Sequence, residues 1–129
     1  MITLTLLHPL QSVAIQSWTF NNEPSIRIGR ATDNQVVLYS AVVSRHHVEI
    51  RNTGASWQVI NLSPNGTYVE GKPIEQTPAL DGMIFRLAIS GPQILVKIES
   101  ESDEMQWDYL ENQPKTKLLP KNAKDTLIS

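Results

Sequence analysis

Over residues 1–7 the aliphatic side chains of Ile2, Leu4 and Leu6 alternate with Thr3 and Thr5, the period-two pattern of a strand with one face buried. His8-Pro9 ends the run, because proline has no amide proton to give to a ladder. Alternating or β-branched runs recur over residues 13–20, 25–28, 36–38, 47–51, 56–61, 67–69, 72–74, 77–79, 83–88 and 93–98. Between them lies turn chemistry: Asn21-Asn22-Glu23-Pro24, Asn52-Thr53-Gly54-Ala55, Asp81-Gly82 and Ser90-Gly91-Pro92. Asn65-Gly66 is the pair preferred at the two positive-φ positions of a type I′ hairpin turn. About eleven short strands separated by turn signals predict an all-β fold, an antiparallel sandwich or barrel. Periodicity alone does not choose between the two.

The pattern stops after Glu99. Glu99, Glu101, Asp103, Glu104, Asp108 and Glu111 come without a base, and Lys115, Lys117, Lys121 and Lys124 then follow without an acid until Asp125. Segregated charge of this kind belongs to solvated extensions. The reading is a folded segment over residues 1–99 and a polar C-terminal tail over 100–129. One short helix is expected in the tail, capped by Ser102, with Met105 and Tyr109, and Trp107 and Leu110, spaced to meet across its turns. Pro114 and Pro120 break the rest.

Composition narrows the function classes. The 129-residue chain has no cysteine, which removes disulfides and cysteine-ligated zinc. A formal net charge of −2 argues against a general nucleic-acid binder. The N-terminus lacks a secretory pattern and no apolar run approaches a bilayer span, so the expectation is a cytoplasmic protein without membrane contact.

Three loop-like patches carry the chemistry: Ile28-Gly29-Arg30, Ser44-Arg45-His46-His47 and Ser63-Pro64-Asn65-Gly66-Thr67. Each adjoins a strand-like run, so a scaffold that brings them to one end makes a small, polar, cationic cleft suited to a phosphate. Arg30 can fork onto two phosphate oxygens. Ser44 offers a hydroxyl beside a backbone amide, and Arg45 adds a second cation. Gly29 reads as a backbone device that tolerates positive φ and permits close approach.

The ordered set Gly29-Arg30, Ser44-x-x-His47 and Asn65-Gly66 resembles the signature of the forkhead-associated (FHA) domain family, over roughly residues 2–99. The resemblance selects the sandwich over the barrel. It implies a phosphothreonine-peptide-binding adaptor in intracellular protein–protein signalling, with a threonine-phosphorylated protein or peptide as partner, no enzymatic activity and no cofactor. Arg30, Ser44 and Arg45 would bind the phosphate. Asn65 would hydrogen-bond the peptide backbone, with Val42 and Thr67 also on the peptide. Gly29, Asn34, His47 and Gly66 would build the scaffold, while His46 is left exposed and unassigned. Pro64 departs from the family pattern, which often has a hydroxyl or free amide there. The stretch Ser40-Ala41-Val42-Val43 contains no base, so the third residue after the phosphothreonine is expected to be aliphatic or unselected.

Competing readings are weaker. Ser44 with His46 or His47 lacks an acidic partner and a glycine elbow. His46, His47 and Glu49 lie on an alternating strand, where adjacent side chains point to opposite faces and seldom share a metal ion. A phosphate-independent β-sandwich interaction domain is the main alternative. A kinase acting on Thr116 or Thr126 would allow self-association through the tail, and the acidic block could instead cover the cleft.

Overall fold

The computed structural model describes residues 1–11 and 13–99, which form eleven strands. They are β1 (Ile2–Leu7), β2 (Ala14–Phe20), β3 (Ser25–Gly29), β4 (Val36–Val37), β5 (Val48–Asn52), β6 (Trp57–Asn61), β7 (Thr67–Val69), β8 (Lys72–Ile74), β9 (Gln76–Pro78), β10 (Ile84–Leu87) and β11 (Gln93–Ile98). The expected runs and these strands agree to within a residue or two. The expected tail helix lies outside the described residues.

Two sheets form a sandwich, one ordered β2-β1-β11-β10-β7-β8 and the other β4-β3-β5-β6-β9. Alternation drives the packing. Ile2, Leu4, Ile26, Ile28, Val48, Ile50, Phe85, Leu87, Ile94 and Val96 are all fully buried in one core cluster, and each such burial stabilises by about 1.5–3 kcal/mol relative to exposure. The intervening residues line outer faces, where Thr3 meets Thr19 at 3.0 Å and Thr5 meets Ser17 at 3.0 Å.

One pairing departs from the antiparallel expectation. β3 and β4 run parallel, with Ile28 opposite Val36 and Gly29 opposite Val37. Parallel neighbours normally need a long crossover, but β4 is a two-residue edge piece, so the short loop over residues 30–35 suffices.

The type I′ turn also sits elsewhere than expected. Glu70 and Gly71 carry φ of 51° and 79° between β7 and β8, which makes them the two-residue hairpin. Gly66 has φ of 86°, but Asn65 is not among the positive-φ residues.

Register fixes which loops share an end. Val48, at the start of β5, lies opposite Asn61, at the end of β6, and opposite Ile28 near the end of β3. Thr67, at the start of β7, faces Leu87, at the end of β10. The loops over residues 30–35, 38–47, 62–66 and 88–92 therefore gather at one end of the sandwich.

Candidate functional site

The first two loops meet backbone to backbone. Arg30 N donates to Ser44 O at 3.0 Å, Ala31 N to Arg45 O at 3.1 Å, and His47 N to Ile28 O at 2.8 Å. A Cβ placed on Gly29 would lie 2.1 Å from Arg45 O and 2.8 Å from Ser44 O. Close approach is thus what requires glycine there. Positive φ does not, since Gly29 is not among the residues that adopt it, and this corrects that half of the expectation.

Arg30 is exposed, and its Nε donates to the Val43 carbonyl. That bond anchors the guanidinium by its inner nitrogen and leaves both terminal nitrogens without a hydrogen bond among the described residues. Arg45 is also exposed. Neither arginine is ion-paired to a carboxylate among the described residues. Two unneutralised cations on adjoining loops favour an anion.

His47 ties this cluster to the opposite sheet. Its ring is fully buried. Nδ1 accepts the Ser44 backbone N–H at 3.0 Å, and Nε2 donates to Gly66 O at 2.8 Å, an arrangement only the neutral Nε2–H tautomer satisfies. Burial accordingly pushes its pKa below the ordinary value, opposed in part by the bond to Gly66. The expected scaffold role has a geometry here. The Ser44 amide, offered above as a phosphate donor, is spent on His47, so Ser44 has its hydroxyl left.

The third loop is a turn of a specific kind. Gly66 N donates to Ser63 O at 3.1 Å, which closes Ser63-Pro64-Asn65-Gly66 with proline at the position whose φ its ring pre-sets and glycine last, the preferences of a type I turn. Pro64 thus has a turn-forming place. Asn65 is exposed and donates Nδ2 to Val42 O at 2.9 Å. Its Oδ1 accepts nothing among the described residues. Val42 is half-buried and its Cγ2 would lie 3.0 Å from a Cβ on Gly91.

Thr67 does not fit its expected peptide-contacting role. It is fully buried, and its hydroxyl donates to Asn61 Oδ1 at 2.8 Å. As the first residue of β7 it points inward, so it braces the loop from beneath.

Asn34 is hydrogen-bonded across the first two loops. Buried to 7% exposure, it donates Nδ2 to Ala31 O at 2.8 Å and to Arg45 O at 2.7 Å. Its Oδ1 takes His46 Nδ1 at 3.0 Å, so His46 has a partner that the sequence did not suggest. His46 Nε2 lies 3.8 Å from Asp33. Both histidine rings are therefore engaged away from the Ser44 hydroxyl, and no group of three or more metal-ligating side chains is assembled among the described residues.

Two further residues belong to the site. Ser63 is 3% exposed, with Oγ 2.6 Å from Ser44 Oγ and 3.0 Å from the Asn65 amide it accepts. Asn61 holds Ser63 by both ends, accepting its N–H at 3.2 Å and donating to its carbonyl at 3.0 Å. Two polar residues at the strand end, just before the turn, were the available signal.

A separate open groove, lined by Tyr68, Ile84, Arg86, Ile89 and Gln93 among others, carries none of the expected site residues. No helix among the described residues is long and apolar enough to cross a membrane.

Comparison with known proteins bears on residues at this end. The model of the FHA domain matches residues 26–88. The glycogen accumulation regulator GarA of Mycolicibacterium smegmatis is 36% identical over 62 residues, which span 47% of this chain and 39% of the regulator. The match thus covers well under half of that relative's length. Among solved structures, one from a study of phosphothreonine-dependent FHA domain interactions superposes with a TM-score of 0.64 at 32% identity, covering 77% of this chain and 97% of the other. EmbR of Mycobacterium tuberculosis, in complex with a low-affinity phosphopeptide, gives a TM-score of 0.62 at 30% identity over 76% of this chain and 25% of its own.

Proposed function

The chain belongs to the FHA domain family, and on that premise we propose that its loop end binds a threonine-phosphorylated segment of a partner protein as a non-catalytic adaptor. The observation that carries the reading is the set of polar groups converging on one end: the anchored Arg30 guanidinium with two terminal nitrogens to spare among the described residues, the Ser44 hydroxyl, and the exposed Asn65 carboxamide with its Oδ1 open. A phosphothreonine brings about −1.5 to −2 charges and three acceptor oxygens, which a hydroxyl and two arginines without a carboxylate partner among the described residues match. Arg30 and Ser44 take the phosphate, with Arg45 as the second cation. Asn65 offers Oδ1 to an amide of an extended peptide, beside Val42. On this reading the interaction is a cytoplasmic one, and phosphorylation of Thr116 or Thr126 would make a second copy a partner.

The test is a phosphothreonine peptide library offered beside unphosphorylated and phosphoserine versions to the whole chain and to Arg30→Ala. A charge-assisted hydrogen bond contributes about 1.5–3 kcal/mol. Loss of Arg30, with two such bonds available, is expected to cost about 2–4 kcal/mol, roughly 30- to 1000-fold in Kd. The same library reads whether the third following residue is aliphatic or unselected. Equal retention of phosphorylated and unphosphorylated peptides would refute the reading.

A further inference from the structure

We propose that Ser63 is a positioning residue for phosphate capture: its buried hydroxyl donates to Ser44 Oγ and thereby turns the Ser44 proton outward, toward the ligand. The proposal rests on the phosphopeptide reading above. It follows from counting protons. Ser63 Oγ has two polar neighbours among the described residues, the Asn65 backbone N–H at 3.0 Å and Ser44 Oγ at 2.6 Å. The amide can only donate, so Ser63 Oγ accepts there, and the one proton of the Ser63 hydroxyl has only Ser44 Oγ to go to. The reverse arrangement, with Ser44 donating, would leave that proton without an acceptor on a residue 3% exposed, which native structures avoid.

Ser44 is thereby committed. Its amide is taken by His47, its Oγ lone pair by Ser63, and its hydroxyl proton is the donor that remains. Donors run in one direction, from the Asn65 amide through Ser63 and Ser44 to the ligand, and each bond polarises the next. Asn61 clamps the Ser63 backbone at both its N–H and its carbonyl, so the Ser63 hydroxyl is held by a frame independent of ligand. The arrangement also links the residue placed on the peptide backbone, Asn65, to the residue placed on the phosphate, Ser44. Such a chain favours a ligand oxygen that only accepts, which describes a phosphate dianion.

The experiment is calorimetric titration of the tightest phosphothreonine peptide from the library into wild type, Ser63→Ala, Ser44→Ala and the double variant, with far-UV circular dichroism and Tm monitoring the fold. Ser63→Ala is expected to weaken binding by about ten- to 150-fold, the scale of one oriented charge-assisted bond, and to add no loss in the Ser44→Ala background. Ser63→Thr, which keeps the hydroxyl, restores most of the affinity. Ser63→Cys, near-isosteric but only a weak donor, behaves like Ser63→Ala and serves in its place if the alanine variant does not fold. Unchanged affinity in Ser63→Ala, or an equal loss in the Ser44→Ala background, would overturn the role of Ser63 while leaving phosphopeptide binding intact. A wild type that binds no phosphothreonine peptide would overturn the functional reading, and this proposal with it.

Discussion

Replacing His47 by alanine tests the architecture of the site most directly. The ring is fully buried and makes two hydrogen bonds to backbone groups on different loops, one to the Ser44 amide and one to the Gly66 carbonyl. Its removal leaves the Ser44 amide unpaired, at about 1–3 kcal/mol where water cannot reach it, takes from the Gly66 carbonyl one of two partners, the Ala88 N–H at 2.8 Å remaining, and leaves a void under the loops as well. The sum is about 3–5 kcal/mol, a large share of the roughly 5–15 kcal/mol that holds a domain together. His47→Phe fills the space without restoring either bond and is expected to recover only part of the loss. Urea unfolding followed by tryptophan fluorescence measures both, because Trp18 and Trp57 belong to the packed region. A midpoint for His47→Ala within about 0.5 kcal/mol of wild type would refute the account. It would mean that water replaces the ring at no cost and that the two loops are held by something else.

Acidification should act through the same ring. Because burial lowers the native pKa of His47, the unfolded state takes up a proton that the native state refuses. Stability from this residue is complete above the unfolded value of about 6.5 and declines as pH falls toward the native one, and the decline below pH 6.5 should shrink in His47→Phe when urea midpoints are compared. Phosphopeptide affinity should fall separately below about pH 6, where the phosphate loses its second charge, and a flat titration between pH 5.5 and 7.5 would count against a dianion site. Gly29→Ala forces a Cβ against the Arg45 carbonyl at 2.1 Å, a contact with backbone that cannot yield without displacing Arg45. A loss of about 1–3 kcal/mol is expected from overpacking, with weakened phosphopeptide binding, and a variant as stable as wild type by thermal melting would show that the two loops can separate freely.

The strands were legible because each has one wet face. Ile2 and Leu4 against Thr3 and Thr5, or Phe85 and Leu87 against Ile84 and Arg86, carry their orientation in their spacing. The same rule, applied to Thr67-Tyr68-Val69, would have placed Thr67 on the inner face with the partly buried Val69, yet the neighbouring Asn65-Gly66 drew it toward the ligand. The turn was misjudged for a related reason. Asn-Gly favours a type I′ hairpin when the flanking strands pair with each other, but β6 and β7 belong to different sheets, and Pro64 makes the preceding pair of residues the corner. What the sequence does not carry is the pairing of side chains from distant loops. Ser63 and Ser44 are nineteen positions apart, as are His47 and Gly66, and nothing local in either stretch names the other.

Those long-range pairs bear on how the site works. Binding a phosphate costs the entropy of ordering the groups that hold it, unless they are ordered already. Here Arg30 is anchored on Val43, Asn65 on Val42, Ser44 on His47 and Ser63, and the first loop on Asn34. Almost every anchor uses a backbone carbonyl or amide, so the loops are cross-braced rather than merely adjacent. The side-chain atoms left over, the Arg30 terminal nitrogens, the Ser44 hydroxyl proton and Asn65 Oδ1, are the ones a phosphorylated, extended peptide would need. On the proposed reading, the scaffold residues His47, Asn34, Ser63 and Asn61 would contribute to affinity by lowering what the ligand must spend on ordering, so their replacement should weaken binding without any of them touching the peptide.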